Sequence, residues 1–255
     1  MPRILSGGVG LNVALLGPAQ STPPVVMLHG LLVGNLATWY LTCAPGLART
    51  RRVVTWDLRG HGLSDRPPTG YDLPTMAGDL SAVLDAVSPD GPADLVGHSY
   101  GALVALHLAL AAPDRVRRLA LVEAPLSRGD VAALTGWATV PADQLAAALP
   151  AALQADLDRG GRRARRLLQG LAALVGETSV LADVAAFPGV SDQALRRLSC
   201  PLLALYGTRS ACRPEAARLR RLLPDATVLE IEGGHYLPLE STAAVAAALE
   251  RWSHA

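Results

Sequence analysis

Short apolar runs, separated by stretches of helical pattern, constrain this chain more than any other feature. They are Val25-Val26-Met27-Leu28, Val53-Val54-Thr55-Trp56, Ala93-Asp94-Leu95-Val96, Leu119-Ala120-Leu121-Val122 and Leu202-Leu203-Ala204-Leu205-Tyr206. Such near-continuous apolarity, rather than alternation, marks strands buried on both faces, as in a parallel sheet. Between them, residues 73–87, 102–112 and 214–223 carry helical patterning, the first opened by Pro74 at a first-turn position. Residues 38–49 also read as a helix, bent by Pro45 and Gly46. Two short strands at 4–6 and 11–16 precede this series; a last strand at 227–231 and a closing helix at 242–252 complete it. Strands alternating with helices imply a mostly parallel central sheet covered on both faces, with its site at the strands' carboxyl ends.

The chain has 255 residues, 50% apolar and 18% charged, enough for one large α/β core carrying an insertion. A net charge of +1 gives no global reason to expect a nucleic-acid or anionic-membrane partner. Cys43, Cys200 and Cys212 are odd in number and far apart, which fits neither a disulfide framework nor a metal site. No leader-like apolar segment opens the chain, and no run approaches the ~18 apolar residues of a membrane span. The expectation is a soluble cytoplasmic protein.

Residues 126–189 break the alternation. They contain no β-type run, and helical composition at 143–157, 162–174 and 179–186 predicts a helical lid inserted between two core segments, 1–125 and 190–255. Arg159, Arg162, Arg163, Arg165 and Arg166 cluster within it. A solvated helix face explains such a cluster, as does a docking patch for an acidic carrier protein or a phosphorylated substrate arm.

The chemistry centres on Gly97-His98-Ser99-Tyr100-Gly101, set between an apolar run and a helical pattern. In that context G-x-S-x-G forms a sharp turn that presents the serine, and the flanking glycines remove Cβ atoms that would clash. Elsewhere the same pentapeptide is an ordinary turn. A serine hydroxyl needs a base. Of six histidines, His235 alone follows the last strand on a Gly-Gly loop. His29 and His61 read as loop organisers, His98 as pointing to the other side of the turn, His107 as a helix residue and His254 as terminal.

These motifs resemble those of the α/β-hydrolase superfamily. His29-Gly30-Leu31 is similar to its oxyanion loop, and 57–65 (Asp-Leu-Arg-Gly-His-Gly-Leu-Ser-Asp) to its D-x-R-G-x-G-x-S loop. Gly97 to Gly101 corresponds to its nucleophile elbow, and Gly233-Gly234-His235 to its histidine loop. The resemblance implies an α/β-hydrolase fold and a serine hydrolase. Ser99 would be nucleophile and His235 base, with the backbone N–H groups of Leu31 and Tyr100 as oxyanion hole. Asp57 and Asp65 hold loop geometry.

The acid departs from the pattern. Where most members carry an aspartate, this chain has Ser210, which cannot supply the charge that stabilises an imidazolium. Glu123, directly after the run ending at Val122, is the preferred replacement; Glu215, another acid or none remain open. Trp39, Tyr40, Trp137 and Tyr236 are candidates to line an apolar substrate pocket. The implied reaction is hydrolysis of an ester, thioester or lactone with an apolar acyl part through an acyl-enzyme. It needs no cofactor or metal, and its substrate is a small molecule, free or carrier-borne. Alternatives are a C–C bond hydrolase or perhydrolase-type enzyme on the same triad, and a non-catalytic small-molecule binding protein of this fold.

Overall fold

The structure, a computed structural model, describes residues 2–19, 23–141, 144–149, 158 and 161–254, without the side chains of residues 137, 148, 163 and 164. The apolar runs form strands of one sheet ordered β1-β2-β4-β3-β5-β6-β7-β8. Their ranges are β1 Arg3–Ser6, β2 Val9–Leu16, β3 Val25–Leu28, β4 Val53–Trp56, β5 Ala93–His98, β6 Val116–Val122, β7 Leu202–Gly207 and β8 Thr227–Ile231. β2 runs antiparallel to both β1 and β4; all pairings from β4 onward are parallel.

The continuous apolarity of the central strands has a direct cause. Val26, Leu28, Val54, Trp56, Leu95, Leu119 and Leu121 pack into a core on one side of the sheet. Their immediate neighbours Val25, Met27, Val53, Val96, Ala120 and Val122 pack into a second core on the other. A period of two with both faces buried leaves few polar positions, and Thr55 and Asp94 are exceptions in these runs. The helix Tyr100–Ala111 is apolar nearly all round because its residues are sandwiched between sheet and neighbouring helix, with nine of them buried.

Residues 38–49 form two short turns, Ala37–Tyr40 and Ala44–Leu47, rather than one bent helix. Pro45 lies in the first turn of the second, where its missing N–H costs nothing, so the break falls before it. Between β6 and β7, helices span Arg128–Thr135, Leu145–Ala148, Arg162–Glu177 and Val180–Ala185. Most of the helix expected at 143–157 lies outside the described residues. The Val190 N–H donates to the Leu126 carbonyl at 2.8 Å, so this segment leaves and rejoins the core at one point. Among the described residues, no helix is long and apolar enough to cross a membrane.

Loops at the carboxyl ends of β3 and β4 are tied by buried side chains. Asp57 accepts from the Leu36 N–H at 2.7 Å, the Leu63 N–H at 3.0 Å and the Asn12 side-chain amide at 2.7 Å. Asp65 accepts from the Gly10 N–H at 2.7 Å. His29 Nε2 accepts from the Leu58 N–H at 3.0 Å, and His61 Nε2 from the Leu32 N–H at 2.9 Å. Each ring's Nδ1 therefore carries the proton and donates to a carbonyl, that of Gly30 or Arg59, both at 2.8 Å. Both imidazoles must be neutral. Burial holds His29 down at about 4, and burial with the neighbouring His29 ring holds His61 at about 3.

A pH dependence of stability follows from these two rings. Both stay unprotonated when folded and take up protons when unfolded below pH ~6.5. Their contribution is complete above that value and is lost as pH falls from about 6.5 toward 4 for His29 and toward 3 for His61. Each adds a slope of up to about 1.4 kcal/mol per pH unit. Urea midpoints measured across this window should fall steadily, and His61→Gln should lower the starting stability and flatten the slope by about one proton.

Candidate active site

Ser99 stands at the junction of β5 and the Tyr100–Ala111 helix, with φ 54° and ψ −123°. Its N–H is fixed by the Val122 carbonyl at 2.9 Å, and its carbonyl accepts from the Ala102 N–H at 2.9 Å. The turn closes only because its flanks are glycine. A Cβ on Gly97 would meet the Gly101 carbonyl oxygen at 2.5 Å, and one on Gly101 would strike the His29 carbonyl. Leu32 and Glu123 share the left-handed backbone with Ser99. These three are the non-glycine residues so disposed among the described ones: Ser99 and Glu123 directly follow β5 and β6, and Leu32 lies in the loop after β3. Strain gathered in one place marks a site that the surrounding packing over-determines.

β8 delivers His235. The Gly233-Gly234 loop after it is held by Glu240, whose carboxylate accepts from the Gly234 N–H at 2.6 Å and the Tyr236 N–H at 3.2 Å. His235 Nε2 then lies 2.9 Å from Ser99 Oγ, while Nδ1 lies 3.1 Å from Glu123 Oε2. Three residues separated widely in sequence thus form one continuous hydrogen-bonded line.

Glu123 is fully buried. Its Oε1 accepts from the Gly207 N–H, and its Oε2 from the Ser210 hydroxyl as well as facing His235. Ser210 Oγ in turn accepts from the Cys212 N–H at 3.1 Å, which leaves its proton free to point at the carboxylate. In sequence Ser210 stands where an acid is missing; in the structure its hydroxyl is the donor that orients Glu123. Glu215 is elsewhere: it pairs with Arg218 at 3.1 Å, and burial raises its carboxyl above the ordinary range.

The cavity in front of Ser99 has a volume of about 1220 Å³. Its wall is largely apolar, with Leu31, Leu32, Leu134, Leu167, Leu171 and Leu174 among its residues. Leu31 and Tyr100 both line it, and among the described residues no hydrogen-bond partner takes either N–H. Tyr236 lines it too. Trp39 does not: its side chain is wholly buried in the core on the other side of the sheet, its indole N–H donating to the Leu28 carbonyl at 2.8 Å. Tyr40 is half-buried and lies off the cavity wall as well. The side chain of Trp137 lies outside the described residues.

His98 corrects a further expectation. It does not point away from the site but packs beside His235, ring centroids 5.2 Å apart, with Nε2 2.8 Å from the His235 carbonyl. Burial, then the adjoining His235, push it down to about 3, so it donates Nε2–H as a neutral ring and braces the histidine loop. Only its neighbour Ser99 is advertised by the motif, which is why the sequence hides this role.

One trio among the described residues could approach a metal ion: Glu123, Cys212 and His235, whose ligand atoms lie within 4.8 Å of one another. Burial and the Glu123 carboxylate drive the Cys212 thiol pKa far up. A thiol that keeps its proton is a poor ligand, and the other two groups are already joined to each other.

A family model described as alpha/beta hydrolase fold matches residues 23–193, well over half of the chain. The chain is 38% identical over 124 residues to 2-hydroxy-6-oxo-2,4-heptadienoate hydrolase of Pseudomonas putida, a match covering 48% of this chain and 43% of that protein. The chain therefore spans less than half the length of that relative. It is 32% identical over 243 residues to pimeloyl-[acyl-carrier protein] methyl ester esterase of Chromobacterium violaceum, covering 86% of this chain and 89% of that one. Among solved structures it superposes on an enol-lactonase from Burkholderia xenovorans LB400 with TM-score 0.81 and 20% identity, covering all of both chains.

The carboxylate's setting makes a prediction about stability. Ser210→Ala removes a donor from a buried charge and should cost about 1–3 kcal/mol in urea unfolding. Ser210→Asp sets a second buried carboxylate against Glu123 and should cost more above neutral pH, with part of the loss recovered on mild acidification as one proton is shared.

Proposed function

Since the chain belongs to the alpha/beta hydrolase fold family, we propose that it is a serine hydrolase acting on an ester, thioester or lactone with an apolar acyl part. The observation that carries this is the line Ser99 Oγ–His235–Glu123, at 2.9 and 3.1 Å, opening onto an apolar cavity. Ser99 attacks the carbonyl carbon while His235 Nε2 takes its proton, and buried Glu123 steadies the imidazolium that forms. Oxygen of the former carbonyl becomes an alkoxide. The free N–H groups of Leu31 and Tyr100 are positioned to receive it, a contribution of about 3–4 kcal/mol per donor in comparable sites. His235 returns the proton to the leaving oxygen or sulfur, and water then releases the acyl group by the same steps in reverse.

Residues 126–189 act as the lid in this reading, because Leu134, Leu167, Leu171 and Leu174 complete the apolar wall over Ser99. The full-length resemblance to an esterase of a carrier-bound methyl ester supports the ester class. The match to the 2-hydroxy-6-oxo-2,4-heptadienoate hydrolase favours a second reading, hydrolysis of a C–C bond beside a carbonyl by the same three residues.

A fluorophosphonate probe should label the wild-type protein and leave Ser99→Ala unlabelled; silence of the wild type beside a labelled control hydrolase would return the fold to a binding role. On a short p-nitrophenyl ester, Glu123→Gln should lower kcat by about 10³–10⁴, whereas Glu215→Gln should leave it unchanged. Full activity in Glu123→Gln would remove Glu123 from the triad.

A further inference from the structure

Among the described residues, the cavity wall carries more cationic than anionic side chains. Three arginines line it, Arg66, Arg162 and Arg166. Arg66 is answered by Glu177 at 3.7 Å. Arg162 and Arg166 have no carboxylate within ion-pair distance among the described residues. The carboxylates that share the wall, Asp57 and Glu240, are held by other donors: Asp57 by the N–H groups of Leu36 and Leu63 and the amide of Asn12, Glu240 by the N–H groups of Gly234 and Tyr236.

The two arginines are placed by helical geometry, not by chance exposure. Positions 162, 166, 170 and 174 succeed one another at intervals of four on the helix Arg162–Glu177, and all four line the cavity. The stripe is thus charged at one end, bare at Gly170 and apolar at Leu174. Two like charges four residues apart repel, and cations in a first helical turn oppose the helix dipole. Both effects lower local stability, and an anion between the guanidiniums reverses them.

We infer that Arg162 and Arg166 form an anion subsite, and that the ligand of this cavity joins an apolar stretch to a terminal carboxylate or phosphate. Guanidinium groups keep their charge at any working pH and bind such planar or tetrahedral oxyanions through paired N–H donors. The anion sits on the substrate itself, because the groups that would bind it line the same cavity as Ser99. Its identity as substrate rests on the hydrolase reading; its binding does not.

Binding is measured first, in Ser99→Ala, by calorimetric titration with hexyl phosphate and with hexanol. Hexyl phosphate should bind about five- to tenfold more tightly, as expected for two solvent-facing charge pairs. The advantage should vanish when Arg162→Gln and Arg166→Gln are added and persist with Arg165→Gln, an exposed neighbour off the cavity wall. Equal affinity for the two ligands, or an advantage that survives the double arginine change, overturns the subsite. Turnover then identifies the source of the anion. A preference of the wild type for the mono-p-nitrophenyl ester of adipic acid over p-nitrophenyl hexanoate places a carboxylate on the acyl side. A preference for acetyl-phosphopantetheine over acetyl-N-acetylcysteamine places the phosphate of a carrier arm on the leaving side. An active enzyme with neither preference overturns the claim that the anion belongs to the substrate. Failure to hydrolyse any of the four, with Ser99 silent to the fluorophosphonate, sinks the hydrolase reading instead and leaves the titration to decide the subsite.

Discussion

A carboxylate sealed inside the protein organises the end of the sheet where the cavity opens. Removing a charge from water costs several kcal/mol even after the protein relaxes, and only good partners offset it. Glu123 has three: the Gly207 N–H at the end of β7, the Ser210 hydroxyl just beyond, and His235 after β8. The carboxylate therefore binds together the tips of β6, β7 and β8, and the geometry of His235 depends on all three being in register. Ser210 matters to that arrangement although it has no charge of its own. It turns the glutamate so that one oxygen faces the imidazole and the other faces the backbone.

How far the sequence discloses this depends on what kind of signal each residue leaves. The strands are legible because burial on both faces of the sheet disfavours polar residues, as Val25 to Leu28 show. Ser99 and His235 are legible because glycines must flank them. Glu123 could be reached only by noticing that Ser210 cannot do an aspartate's work. Trp39 misleads, since an aromatic residue near a motif can equally fill the core, and here its indole N–H finds the Leu28 carbonyl behind the sheet. The sequence marks Arg162 and Arg166 as part of a basic cluster, but His98 and Ser210 are visible only in three dimensions. Their roles rest on contacts between distant segments, for which local pattern carries no trace.

The loop after β3 is fixed by contacts within the protein. Leu32 is held in a left-handed conformation while His61 accepts its N–H, and His29 clasps the loop after β4 in the same manner. Neutral rings serve here as fixed acceptors, so the loop that carries Leu31 is held by bonds already made. Packing elsewhere in the fold sustains the strain at Leu32, Ser99 and Glu123.

The bond from Val190 to Leu126 gives the molecule a seam. Because the intervening segment departs and returns at one pinned point, its length can change with only a slow, logarithmic entropy cost and no shift in the strands beneath. The sheet and the helices between β6 and β7 can therefore diverge on separate schedules. The same sheet can thus keep the contacts at its strand ends while the segment pinned above it is rewritten.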